Sequence, residues 1–219
     1  MPTAPRTAAE YWDRYLPARG PDEPAPRPEF EWTQYPGHGP GPELLGHPEH
    51  ALDLGPAQGK EAVFLARRGT KVTGVDLSHV QVERARSWWS AEPNVSFQHA
   101  DACAFLRQDD GVYDAVYSVW GALWFTDPDA LLPLIAGRLA PGGVLVFSQA
   151  EPPADGYGPQ TMGGKYLEQG ELTVLRWQYR PHTWADLLKR HGFTRVEACV
   201  LDAPEEGTSG ALLVSAVRA

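Results

Sequence analysis

Cysteine is scarce in this chain: there are two in 219 residues, Cys103 and Cys199, far apart and outside any CxxC spacing. That excludes a disulfide framework and a zinc ribbon, and a reducing compartment is the expected setting. Long apolar runs are lacking as well. No window approaches the roughly eighteen consecutive apolar residues of a spanning helix, and the opening MPTAPRTAAEYWDRYLPARG lacks the apolar core of a secretory signal. The expected location is the cytoplasm, away from membranes. Basic residues are the minority, with 19 Lys and Arg against 28 Asp and Glu and a formal net charge of -9. That balance argues against a broad surface tracking nucleic acid phosphates and in favour of small or peptide partners.

What is present fits one α/β domain. Hydrophobic residues make up 42% of the chain, and no internal repeat occurs. TAAEYWDRYL at residues 7–16 has helical spacing, PARGPDEPAPRPEF carries too many prolines for regular structure, and an irregular Gly/Pro segment leads towards residue 50. From there strand and helix signals alternate: HALDLG, KEAVFLARRG, KVTGVDL, HVQVERARSWWSA, NVSFQHA, ACAFLRQ, YDAVYSVW, DPDALLPLIAGRLAP, GGVLVFSQA and PHTWADLLKRHG. The chain closes on two strands, TRVEACVLD and GALLVSAVRA, which read as an antiparallel edge hairpin. This rhythm predicts a doubly wound, mostly parallel seven-stranded sheet between two helical layers. Residues 1–49 are expected to form an N-terminal helix and cap. Residues 50–219 form the main domain, with a long insert at residues 151–180 on the substrate side.

ALDLGPAQGK at residues 51–60 is a strand-to-helix turn of the kind that presents free N–H groups to a ligand. It does not fit a P-loop, because Gly55 and Gly59 enclose too few residues and Glu61 follows Lys60 where a hydroxyl is needed. A dinucleotide fingerprint from Gly55 lacks two of its glycines, at Ala57 and Lys60, so a dehydrogenase is a distant reading. An ordinary strand-helix junction is the bland alternative. The second strand, KVTGVDLS, ends in Asp76 about twenty residues on, where a nucleoside site places a carboxylate for the ribose hydroxyls.

LDLGPAQG, Asp76, FQHADA and LAPGGVLVFS in that order resemble the class I S-adenosylmethionine (SAM) methyltransferase family over residues 50–150. The resemblance implies a Rossmann-like fold and SAM as cofactor. It assigns the methionyl end to Asp53, Gly55, Ala57 and Gly59, the ribose to Asp76, and the adenine to Asp101 with Leu77 and Ala102 beside the ring. Ser118 on the fourth strand joins the expected cofactor contacts. The fourth strand ends in YSVW, unlike the Asn/Asp-Pro-Pro-Tyr of methylators of nucleic acid and protein amides, and neither a carboxylate cluster nor HExxH marks a metal. No metal is expected.

The expected activity is methyl transfer to an O, N or C atom of a small molecule, such as a secondary metabolite. A peptide methyltransferase and a non-catalytic SAM-binding protein remain as alternatives. His38, in YPGHGPG, is the candidate base; His99 is a weaker one, and helix ends account for His182 and His191. Eight tryptophans are many for this length, and Trp32, Trp120, Trp124 and Trp177 are the candidate walls for a flat acceptor. Trp88 and Trp89 read as helix packing. Tyr11 and Tyr15 of the first helix and Tyr157 and Tyr166 of the insert are expected to line a lid.

Overall fold

The alternating signals resolve, in a computed structural model describing residues 7–14, 24–153, 158–162 and 174–219, into one seven-stranded sheet and one small hairpin. Helix α1 (Ala8–Arg14) precedes an irregular stretch with a 3-10 turn at Pro42–Leu45. Then follow β1 (His50–Leu54), α2 (Lys60–Ala66), β2 (Lys71–Asp76), α3 (His79–Trp88), β3 (Val95–His99), α4 (Ala102–Gln108) and β4 (Tyr113–Val119). After these come α5 (Ala122–Phe125), α6 (Pro128–Arg138), β5 (Leu139–Ala150), β6 (Gly158–Met162), β7 (Val174–Gln178), α7 (Pro181–Arg190), β8 (Phe193–Leu201) and β9 (Ala211–Arg218).

Sheet order is β3-β2-β1-β4-β5-β9-β8, with β9 antiparallel to both its neighbours and the first five strands parallel. The expected edge hairpin is therefore present. Successive residues of β1 point to opposite faces, so Ala51 enters one core and Leu52 the other. One core joins Leu52, Val116 and Phe147 to α4, α6 and α7; the other joins Ala51, Val72 and Val146 to α2, α3 and the segment around Phe30, Trp32 and Leu45. Burial on both faces is why these strands read as continuous apolar runs.

Capping explains where several helices start. Ser78 accepts from the Gln81 amide at 3.2 Å and Asp101 from the Ala104 amide at 2.8 Å, while Asp127 precedes Pro128 and accepts from the Asp129 amide. Two elements escape the sequence pattern: the four-residue α5, too short for periodicity, and the β6–β7 hairpin inside the insert. The order of the sheet reverses at β1, which has β2 and β3 on one side and β4 and β5 on the other. Helices after β1 and β4 therefore leave in opposite directions, opening a crevice at the carboxyl ends of these strands.

Candidate functional site

The turn after β1 is held open by backbone conformation. Gly55, Ala57 and Gly59 all have positive φ, at 87°, 46° and 77°. A Cβ on Gly55 would lie 2.6 Å from the Ala122 nitrogen, and one on Gly59 would lie 2.4 Å from Phe97 Cζ. Both glycines are thus demanded by packing. Ala57 bears a left-handed strain of about 1–2 kcal/mol, and its N–H donates to Asp76 Oδ2 at 2.9 Å. From the C-cap of α3, Trp89 Nε1 donates to the Gln58 carbonyl at 2.8 Å, so this tryptophan braces the turn.

Asp76 ends β2 with its other oxygen accepting from the Ser78 amide at 2.8 Å. Burial raises its pKa, and the two amide hydrogen bonds pull it part of the way back. A cavity of about 460 Å³ opens here, and Gly55, Ala57, Asp76, Leu77, Asp101 and Ala102 all line it. Six of the nine residues expected to touch the cofactor therefore meet on one wall.

A second cavity of about 310 Å³ shares Gly55, Ala57 and Trp120 with the first and continues to Asp53, Lys60, Glu61 and Glu31. Lys60 Nζ lies 3.2 Å from Glu61 Oε1 and 4.0 Å from Glu31 Oε2, so one ammonium faces two carboxylates, with Asp53 lining the same cavity. Asp53 is 2% exposed and Glu61 7%. Burial is the main reason that the Glu61 carboxyl is pushed up to about 7, with Lys60 opposing it. Asp53 is also pushed well above the usual carboxylate range, by burial first and then by the charge of Glu61, while the Tyr117 hydroxyl beside it acts in the opposite sense. Such a pocket favours a cationic guest. Sequence reasoning met Lys60 and Glu61 only as a mismatch to the P-loop; Glu31 carried no signal before folding.

The far wall of the larger cavity is aromatic and aliphatic. Trp120 stands where the two cavities meet, at a positive φ of 51°, with its amide donating to the Ser148 carbonyl at 2.9 Å and its indole to the Trp32 carbonyl at 3.1 Å. Bulky residues rarely hold this conformation, and it persists here because backbone and ring are both anchored. Trp177, Val174 and Leu175 of β7 line the same cavity, as do Trp12 of α1 and Phe125 of α5, whose rings meet edge to face at 4.6 Å.

Several expected residues lie elsewhere. Trp32 is fully buried, donates to the Gly41 carbonyl at 2.8 Å and packs on Phe30 and Tyr117, so it supports Trp120 from behind. Trp124 is buried between Trp120 and Arg176, off both walls. Tyr11 is buried, and its neighbour Trp12 takes the cavity position, because a one-residue step turns a helical side chain by about 100°. Ser118 is fully buried and donates to the Leu54 carbonyl at 2.6 Å, clipping β4 to β1. Gly59 shapes the turn without reaching either cavity wall.

His38 is bound through Nε2 to the Asp202 carbonyl at 2.8 Å and lines neither cavity. His99 likewise bonds through Nε2 to the Leu77 carbonyl at 3.1 Å, off both walls; His182 is exposed and His191 meets Asp129 at 2.8 Å. Tyr15, Tyr157 and Tyr166 lie outside the described residues.

Residues 51–143 match the family described as methyltransferase domain. The core of this chain is thus similar to a methyltransferase domain. The chain is 32% identical over 109 residues to trans-aconitate 2-methyltransferase of Paracidovorax citrulli, covering 49% of this chain and 41% of that enzyme. It is 37% identical over 112 residues to the demethylmenaquinone methyltransferase of Thermus thermophilus, covering 50% of each. The match thus spans half or less of these curated relatives. A solved 1,6-didemethyltoxoflavin-N1-methyltransferase of Burkholderia thailandensis, with bound 1,6-didemethyltoxoflavin and S-adenosylhomocysteine, aligns with 81% of this chain and 74% of its own at a TM-score of 0.60 and 23% identity. That likeness is one of fold. Among the described residues no helix is long and apolar enough to cross a membrane.

Proposed function

We propose that this protein is a SAM-dependent methyltransferase acting on a small molecule. One observation carries the reading: the cavity lined by Asp76 and Asp101 passes Gly55 and Ala57 into a pocket lined by three carboxyl groups, Glu31, Asp53 and Glu61, and one lysine. A nucleoside joined to a cationic amino acid tail fits that sequence of surfaces. The small-molecule methyltransferases among its relatives support the same class of acceptor.

SAM supplies a methyl group already activated on a sulfonium, so alignment of the acceptor carries much of the rate. Asp76 binds the ribose and Asp101, with Leu77 and Ala102, the adenine. Asp53 and Glu61 receive the ammonium, which relieves the cost of their burial, and Lys60 is the cation available for the carboxylate. Trp120 forms the divide between cofactor and acceptor, and its ring favours a positive charge against its face. Trp12, Phe125, Val174, Leu175 and Trp177 exclude water and favour a flat or apolar acceptor. Among the described residues, α1 of the N-terminal segment and β7 of the insert supply this acceptor-side wall.

Calorimetry with SAM and S-adenosylhomocysteine tests the cofactor half of this reading. Micromolar binding is expected for the intact protein, with at least a tenfold loss in Asp76→Ala; absence of binding by the intact protein would remove the methyltransferase reading. Mass spectrometry of a small-molecule acceptor panel then tests transfer. Product on peptides alone would move the protein to the peptide class, and cofactor binding with no product from any acceptor would mark a SAM-binding protein without catalysis.

A further inference from the structure

Helix α1 spans seven residues, and isolated helices shorter than about 12–15 residues are marginal in water. Its order comes from what it touches. Tyr11 is 2% exposed, Trp12 meets Phe125, and Ala8 and Trp12 both line the larger cavity. A further contact is polar: Asp13 Oδ1 accepts from Ser78 Oγ at 2.7 Å and from the Val80 amide at 3.3 Å. The Asp13 carboxylate thus lies at the amino end of the ten-residue α3, where a negative charge is favoured.

Ser78 is the hub of this arrangement. Fully buried, it accepts from the Gln81 amide through its hydroxyl, donates the hydroxyl proton to Asp13, and donates its amide to Asp76 Oδ1 at 2.8 Å. Ser78 already caps α3 without help, so what the Asp13 contact adds is an attachment for α1. The attachment point is two residues from the carboxylate assigned to the ribose.

We infer that Asp13 is a positioning residue whose bridge to Ser78 holds α1 as a lid over the nucleoside cavity and ties that lid to the Asp76 loop. The inference rests on the cofactor reading proposed above. On the acceptor side, the Trp12–Phe125 contact closes the same lid, so α1 spans the cavity between a polar latch and an aromatic one. Cofactor entry and product release then require α1 to lift, and the latch sets how often it does.

Two measurements on the full chain test this. Hydrogen exchange on the ligand-free protein is expected to show the amides of residues 11–14 losing at least tenfold protection in Asp13→Ala, while those of β2 and the body of α3 keep theirs. Stopped-flow fluorescence is expected to give at least tenfold faster release of S-adenosylhomocysteine in Asp13→Ala and near-normal release in Asp13→Asn, whose amide oxygen still accepts from Ser78 and Val80. Trp12→Ala alone should also speed release, yet add nothing in the Asp13→Ala background, because α1 has already left. Unchanged protection of α1, unchanged release, or fully additive effects of the two substitutions would each overturn the latch. Failure of the wild type to bind S-adenosylhomocysteine would remove the cofactor reading instead, and the exchange data would still decide whether Asp13 holds α1.

Discussion

Ala57 donates its backbone N–H to Asp76 Oδ2 at 2.9 Å, which ties the turn after β1 to the end of β2. The carboxylate that orders this turn is the one we propose for the ribose. Asp76→Asn keeps the shape but exchanges one acceptor oxygen for a donor and removes the charge. Calorimetry is expected to show about 10–100-fold weaker binding of S-adenosylhomocysteine, equivalent to about 1.5–3 kcal/mol for hydrogen bonds to a charged group.

Gly55 and Gly121 approach so closely that neither tolerates a side chain: a Cβ on Gly121 would lie 2.5 Å from the Leu54 carbonyl oxygen and 2.8 Å from that of Gly55. Gly55→Ala would meet backbone atoms of Gly121 and Ala122 at a positive φ, so no side-chain rotation can relieve it. The expected loss is about 3 kcal/mol or more, from overpacking and backbone strain together. A lowered urea midpoint, measured without ligand, checks this separately from any effect on binding.

Glu61 makes the ligand-free protein sensitive to pH. Its carboxyl titrates at about 7 in the fold against an ordinary 4.5, chiefly because it is buried. Between these values the folded chain keeps a proton that the unfolded chain has lost, so stability falls as pH rises from about 4.5 to 7 and then levels. The contribution is on the order of 3 kcal/mol. Urea midpoints at pH 5 and 8 should differ accordingly in the wild type and by much less in Glu61→Gln. A cationic ligand favours the ionised form, so cofactor affinity is expected to rise across pH 7 in the wild type and to flatten in the variant.

Two tryptophans joined by one hydrogen bond should separate cleanly under mutation. Trp32→Ala opens a cavity in the core and should cost about 3–5 kcal/mol. Trp120→Phe keeps a ring at the divide but loses the bond to the Trp32 carbonyl, at about 1 kcal/mol. The larger effect of Trp120→Phe should appear in the acceptor's KM and kcat, measured by product formation.

His38→Ala provides a control on the histidine that the sequence favoured. Loss of its bond to Asp202 should cost about 1 kcal/mol in thermal or chemical unfolding. The dependence of kcat on pH should keep its shape; loss of a limb near neutrality would return His38 to the chemistry.

Period and order were legible before folding because they are local. Short apolar runs alternating with amphipathic stretches specify βαβ units, and a turn with small residues at positions 55, 57 and 59 must follow the first of them. Asp76 and Asp101 were legible because Asp76 ends β2 and Asp101 follows β3 by two residues, and parallel strands in such a sheet deliver their ends to one crevice. Their arrival on a common wall needed no information beyond the strand order.

What a side chain does once neighbouring elements arrive was not legible. Trp32 and Trp120 look alike in sequence, yet one is sealed beneath the other because the segment before β1 packs on the sheet while the loop after β4 turns outward in a left-handed conformation. Tyr11 and Trp12 exchange roles through the rotation of a short helix whose docking depends on α3 and α5. Glu31 joins Asp53 and Glu61 only when a loop crosses the end of β1, which gathers three carboxyl groups around one pocket. The sequence by itself determined the sheet, the turn and the carboxylates at the strand ends, because those follow from local periodicity and chain direction. Tertiary structure alone decided which aromatic rings face the cavity and which charges lose their water, because burial belongs to the packed assembly and to no single stretch of chain.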